Sequence, residues 1–213
     1  MLPSRSITIP MSFLLVFSSA LERDAAFPNG VPPSLRSDIT GVGLVDAAAG
    51  TSRIVARHTP AALLFVGTCG AYPGSGFQIG QLLLARSVRL GSGDVASRAM
   101  RIPGLMPETL LTDPELTEQL RRRLSPPPAD AEVICTLGIT ESESLARQLE
   151  SGIPRRVENL EAYPVLRAAA GIPTAILLGV TNIVGPNGGK EWKEHFRSVM
   201  QAAVNAILRT EKR

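Results

Sequence analysis

Apolar positions along the chain fall into two patterns. Short runs with almost no polar residue lie at 13–17 (Phe-Leu-Leu-Val-Phe), 62–66 and 174–180. A strand exposed on one face would alternate apolar and polar positions, so unbroken runs predict strands covered on both faces. Further strands are predicted at 36–42, 81–90, 132–137 and 156–157, and the first strand reaches back to Ser12. Between them, apolar residues recur at helical spacing over 44–57, 115–124, 160–170 and 189–209. Thr140 with Glu143 reads as a capping box that opens a helix running to Glu150. Gly171 and Pro173 stop the helix before the 174–180 strand. Segment 67–76 is glycine-rich and reads as a loop, and Ser125-Pro126-Pro127-Pro128 as a linker. The alternation of strand and helix predicts one domain with three layers, α/β/α, around a central mixed, largely parallel sheet.

Composition sharpens this picture. Aromatic residues are only 4% of the 213, so the core must be mainly aliphatic, as buried α/β strands require. The net charge of +3 is carried by scattered arginines (Arg121–Arg123, Arg155, Arg156 and the C-terminal tail). No basic stripe with interleaved aromatics occurs, which argues against a nucleic-acid partner. Two cysteines, Cys69 and Cys135, and two histidines lack the spacing of a zinc site, so no metal is expected. Free thiols fit a reducing cytoplasm. At the N-terminus, Arg5, an apolar run to Phe17 and then Ser18-Ser19-Ala20 imitate a secretory signal. The competing reading is a first core strand after a flexible extension over residues 1–10. No other stretch has the length of apolar residues that a membrane span needs, so no membrane partner is expected.

In open α/β sheets ligands bind beyond the carboxyl ends of the strands. The polar residues there are Ser18, Ser19 and Glu22 after the first strand, Thr68 and its flanking glycines after the 62–66 strand, Glu158 and Glu161 near 157, and Thr181 and Asn182 after the 174–180 strand. Each has a plain structural explanation as well. The glycines can serve a turn, and they lack the lysine of a phosphate-binding loop. The two glutamates can complement a helix dipole, and Asn182 can be a turn residue. His58 and His195 read as peripheral helix residues.

Several of these segments resemble one family. Val-Glu-Asn-Leu-Glu-Ala at 157–162 resembles the V-E-x-M-E-G/A signature of the nucleoside phosphorylase and nucleosidase superfamily. Gly-Val-Thr-Asn-Ile-Val-Gly-Pro at 179–186 resembles the strand that follows it there. Gly-Thr-Cys-Gly-Ala-Tyr at 67–72 resembles its G-[ST]-x-G loop, and Phe-Ser-Ser-Ala-Leu-Glu at 17–22 its first strand. Phe-Gln-Ile-Gly-Gln at 77–81 fits a further family segment, whereas 92–128 matches poorly. With Glu191-Trp192 after the second motif, the pattern looks most like the futalosine hydrolases.

The resemblance implies a phosphorylase-like fold over 11–213, no cofactor and a homo-oligomer. It implies a nucleoside site in which Glu161 accepts bonds from ribose hydroxyls, Leu160 underlies the sugar and Thr68 touches water or sugar. Glu22 would orient the attacking water as general base. Asn182 would serve the departing base, in a pocket with Gly70 and Phe77; Tyr72, Tyr163 and Trp192 are the other aromatic candidates for its flat wall. Asn182 stands where adenosine-type members carry Asp, and a neutral amide suits a 6-oxopurine. Phe65 and Glu22 stand where hexameric phosphorylases carry Arg, which favours water over phosphate. The expected activity is cleavage of futalosine to hypoxanthine and dehypoxanthine futalosine in menaquinone biosynthesis. A methylthioadenosine-type nucleosidase, a phosphorylase and a non-catalytic nucleoside-binding protein are the alternatives.

Overall fold

The computed structural model describes residues 13–210. The expected extension over 1–10, the signal-like start and the strand start at Ser12 lie outside them. The chain opens with β1 (Leu14–Phe17), α1 (Ala20–Ala26), β2 (Ser37–Ile39), α2 (Gly43–His58), β3 (Leu63–Ala71) and β4 (Leu82–Leu90). It continues through α3 (Gly93–Ala96), β5 (Thr109–Leu111), α4 (Pro114–Arg123), β6 (Ala129–Cys135) and α5 (Glu143–Glu150). The last elements are β7 (Arg156–Asn159), α6 (Ala162–Ala168), β8 (Thr174–Ile183) and α7 (Gly188–Thr210).

The strands form one eight-stranded mixed sheet. β1 pairs parallel to β2 and β3, and β3 to β8; β4 and β6, and β6 and β7, are also parallel. The β3–β7, β4–β5 and β4–β8 ladders are antiparallel. Pairing therefore runs β3–β7–β6–β4–β8 and back to β3, so the middle of the sheet curls closed while β1 and β2 extend from it. Apolar clusters cover both faces. One joins Val16, Phe65, Leu83, Val133 and Ile176 to α2 and α6; the other joins Leu15, Leu64, Leu84 and Leu177 to α1, α4 and α7. Every residue of β1 and the first five of β3 are buried, as their unbroken apolar runs require. The three-layer reading thus describes the molecule.

Helix faces follow from spacing. α2 buries Ala47, Gly50, Thr51 and Ile54. α7 buries Phe196, Val199, Met200, Ala203, Val204 and Ile207, one stripe along its length.

Three local readings are corrected. The 67–76 segment is loop only from Tyr72 onward, because Gly67 to Ala71 continue β3 and pair with β8 along their length. Ladder hydrogen bonds on a shared strand outweigh the weak strand propensity of glycine. The cap of α5 is Ser142, whose hydroxyl accepts from Leu145 N, and not Thr140. Thr140 instead turns inward to a buried carboxylate. Glu158 does not open a helix: it lies within β7. The weakly matching 92–128 region holds α3, β5 and α4, with β5 added to the edge of β4.

Helix α2 is seated by a close approach. A Cβ on Gly50 would lie 1.6 Å from the Thr40 carbonyl oxygen, so only glycine lets the helix touch the end of β2. Gly50→Ala is expected to lower the unfolding free energy by about 1–3 kcal/mol, read from the urea midpoint at unchanged m-value.

Candidate active site

A cavity of about 510 Å³ opens where β1, β3, β7 and β8 end and α1, α2, α6 and α7 begin. The charged residues among those lining it are Glu22, Glu158, Glu161 and Lys193, three carboxylates against one amine.

Glu22 enters from the first turn of α1, whose N-cap Ser19 accepts from Glu22 N at 3.2 Å. The short helix points this side chain back over the end of β1, where Ser18 donates to Oε2. Thr68 donates to Oε1 through its hydroxyl (2.7 Å) and its backbone N–H (3.2 Å). Trp192 of α7 donates its indole N–H to the same hydroxyl at 3.1 Å. Because the indole can only donate, it orients the Thr68 proton toward Glu22.

Glu161 sits at the N-cap position of α6, yet its side chain caps a different helix. Gly43 N, the first N–H of α2, donates to Oε1 at 2.9 Å. That is a carboxylate on the positive end of a 16-residue helix that has no side-chain cap of its own. Asn159 donates to Oε2 at 3.1 Å and to the Thr68 carbonyl at 3.0 Å. Its Oδ1 accepts from Glu161 N (2.9 Å) and Ala162 N (2.7 Å), so one amide locks the turn from β7 into α6.

Burial raises the proton affinity of both carboxylates. For Glu161 burial is the largest effect; the Gly43 N–H opposes it and the charge of Glu22 adds to it, and the result is pushed up to about 7. Glu22 is raised by burial against the pull of its Ser18 and Thr68 donors.

Asn182 comes from the end of β8. Residue pairing between β3 and β8 slips there: Cys69 faces Val180, but Gly70 faces Asn182. A one-residue bulge reverses which face a side chain takes, and here it brings Asn182 onto the cavity face. The Thr181 hydroxyl divides its single proton between Asn182 Oδ1 (2.9 Å) and the Cys69 carbonyl (3.2 Å). With Oδ1 so engaged, the amide NH₂ is the group Asn182 has to offer. A Cβ on Gly70 would lie 2.8 Å from that nitrogen, so the bare glycine makes its space.

Of the residues singled out in the sequence, Glu22, Thr68, Gly70, Leu160, Glu161 and Asn182 all line this cavity. Phe77 does not. It lies in the core with Leu83 and Val133, because the extension of β3 moves the following turn away from the opening. The aromatic residue on the cavity is Trp192, stacked on Phe196 at 4.5 Å between ring centroids. Tyr72 is buried against Glu158, and Tyr163 donates to the Pro107 carbonyl. Asn159 and Gly43 carry no signal of their own in the sequence, although both lie in or beside the segments that meet here. His58 pairs with Asp38, and His195 contacts the Glu191 carbonyl on its own helix. Burial holds the Cys69 thiol far above its usual range and pushes Cys135 up to about 12. Among the described residues no cluster of three or more His, Cys, Asp or Glu is placed to hold a metal ion. No helix among them is long and apolar enough to cross a membrane.

Fold and cavity together define an α/β protein with a carboxylate-rich cavity at the strand ends. The sequence profile of the phosphorylase superfamily matches residues 37–210, and the chain belongs to that superfamily. No curated protein sequence matches it significantly. Among solved structures it is similar to the 5′-methylthioadenosine/S-adenosylhomocysteine nucleosidase of Neisseria meningitidis in complex with methylthio-immucillin-A (TM-score 0.77, 14% identity, 95% of this chain and 99% of that one). It is similar to the Helicobacter pylori nucleosidase of the same name with butyl-thio-DADMe-immucillin-A (TM-score 0.78, 13% identity, 94% and 97%). It is also similar to the futalosine hydrolase of Helicobacter pylori (TM-score 0.79, 12% identity, 94% and 97%).

The raised Glu161 carboxyl has a consequence for stability. The folded chain keeps a proton there that the unfolded chain, with a carboxyl near 4.5, releases. The resulting stabilisation is complete below about pH 4.5 and is lost as pH rises through about 7. Between roughly pH 5 and roughly pH 8 the empty protein should lose up to about 3 kcal/mol relative to Glu161→Gln. Thermal melts of the two proteins across that range check the difference.

Proposed function

We propose that this protein is a purine nucleoside N-ribohydrolase acting on futalosine, releasing hypoxanthine and dehypoxanthine futalosine in menaquinone biosynthesis. The observation that carries the reading is the pair of buried carboxylates on one cavity, one held by hydroxyl donors and the other by a helix N-terminus. Breaking an N-glycosidic bond leaves a sugar with developing positive charge and a base that takes the bonding electrons. In this reading Glu161, as carboxylate, accepts from the ribose hydroxyls and lowers the energy of the cationic sugar. Glu22 orients a water on the anomeric carbon. As the water oxygen bonds that carbon, its proton passes to Glu22 and the C–N bond breaks. A carboxylate whose proton affinity is raised by burial suits that task near neutral pH. The Asn182 NH₂ donates to N7 of the departing base, which then takes a proton from solvent.

Two features support water over phosphate. Lys193 is the one cationic side chain among the lining residues, and it is exposed. Phe65, where the resemblance implies Arg in phosphorylases, is fully buried in the core. A dianion would meet three carboxylates with little to balance them. The amide of Asn182 supports a 6-oxopurine over adenine, the base type implied for the adenosine-type nucleosidases that the fold also resembles.

We infer further that the protein works as a homo-oligomer in the cytoplasm. Leu21, Val42 and Ile139 surround the mouth of the cavity and are 50%, 56% and 64% exposed, a patch suited to a second copy. The free thiols Cys69 and Cys135 fit a reducing compartment.

Free base should appear when the protein meets futalosine without phosphate, faster than with inosine, adenosine or methylthioadenosine. Release only with phosphate would identify a phosphorylase, fast adenine release a methylthioadenosine-type nucleosidase, and tight binding without release a nucleoside-binding protein. Glu22→Gln should lower kcat roughly 100- to 10,000-fold with little change in KM. In sedimentation, Val42→Asp should shift the protein toward monomer, and an unchanged mass would remove this patch from the interface.

A further inference from the structure

Glu158 is the third carboxylate on the cavity, and the mechanism above does not use it. It is 6% exposed, and none of the ion pairs among the described residues includes it. Arg156, two residues earlier on β7, is directed instead to Glu132 and to the carbonyls of Leu149 and Glu150.

Strand register sets where Glu158 acts. Gly70 of β3 pairs with Glu158 on one side and with Asn182 on the other. Direct cross-strand partners project to the same face, so a carboxylate, a bare Cα and an amide form one row on the cavity floor. The row spans two strand spacings, about 9–10 Å between its outer Cα atoms, which leaves room for a flat bicyclic base between the two side chains.

The hydrogen bonds of Glu158 show what it has left to offer. Thr140 N donates to Oε1 at 3.0 Å, while Oε2 takes the Thr140 hydroxyl (2.5 Å) and the Tyr72 hydroxyl (3.3 Å). The nearby Thr136 hydroxyl donates to the Gly138 carbonyl at 2.9 Å. Thr136 also lies close enough to lower the proton affinity of Glu158, but its hydroxyl has a single proton and donates it to Gly138; with about four acceptor positions on a carboxylate, one on Oε1 remains for a donor.

We propose that Glu158 is a specificity-determining residue that reads the base, accepting the N1–H of a 6-oxopurine while Asn182 donates to N7 at the other end of the row. This rests on the nucleosidase reading above. Hypoxanthine carries a proton on N1. Adenine carries a lone pair there, which would face the carboxylate and leave it unpaired, so one residue both favours the first base and disfavours the second.

Calorimetry with hypoxanthine, adenine and 1-methylhypoxanthine, on wild type and Glu158→Gln, tests this together with turnover of inosine and adenosine. Wild type should bind hypoxanthine about 10- to 100-fold tighter than either of the other two bases. In Glu158→Gln the preference over adenine should fall at least about tenfold, since an amide can donate to the adenine N1. The 1-methyl base tests the wild type directly should the variant be unstable. Equal weakening of both bases in the variant, or a wild type that prefers adenine or accepts the 1-methyl base, overturns the proposal and reduces Glu158 to an anchor for Thr140. Turnover in the wild type with an unchanged base ratio in the variant leaves the hydrolase reading standing without Glu158. Selective base binding that collapses in the variant, with no turnover, does the reverse.

Discussion

The bond from the first backbone N–H of α2 to the buried carboxylate of Glu161 ties the fold to the cavity. It joins residues 118 apart in sequence, and it gives a helix without a side-chain cap a side-chain partner at that end. Its geometry needs α2 to lie flush against the end of β2, which Gly50 permits. It also needs the β7–α6 turn to be rigid, which the Asn159 amide provides through four hydrogen bonds. The same amide reaches the Thr68 carbonyl, so the two carboxylate sites, Glu22 and Glu161, share one framework.

That framework holds charge where burial opposes it. Three carboxylates line one cavity, and neutral donors hold all three: hydroxyls, a side-chain amide and backbone N–H groups. Neutral donors stabilise an anion without cancelling its field, so the ionised carboxylates give the cavity a negative potential. A cationic partner for any of the three would add stability to the empty protein and remove that field. The raised proton affinity of Glu22, Glu158 and Glu161 is the thermodynamic trace of this arrangement.

The sheet supplies the aim. The slip between Cys69 and Gly70 turns Asn182 to the cavity face, and Gly70 then separates the amide from the Glu158 carboxylate without filling the gap. Trp192 arrives from the far end of the chain on α7, held by its stack on Phe196 and by Thr68. Every group at the site is thus carried by a strand end or the first turns of a helix, the parts of an α/β fold with free donors and a fixed direction.

Residue pattern alone determined the layers of this protein and the segments that would meet at its site. An unbroken apolar run must be covered on both faces, and a polar residue following such a run must emerge at the strand end; both are local consequences of period and burial. Pattern placed Glu22, Thr68, Glu161 and Asn182 among the polar residues near strand ends, beside Ser18, Ser19, Glu158 and Thr181, and the resemblance to the superfamily is what singled those four out. The tertiary structure alone decided which of their neighbours mattered. Phe77 had the composition of a base-stacking residue, but the β3–β8 ladder carried its turn into the core and left Trp192 on the cavity. Thr140 had the spacing of a helix cap, but a buried carboxylate claimed its hydroxyl. Glu158 had the position of a helix-start residue, but pairing with Gly70 made it part of the floor. Ladders and burial join residues far apart in sequence, and no local pattern encodes which strands will pair or which donor a buried carboxylate will find.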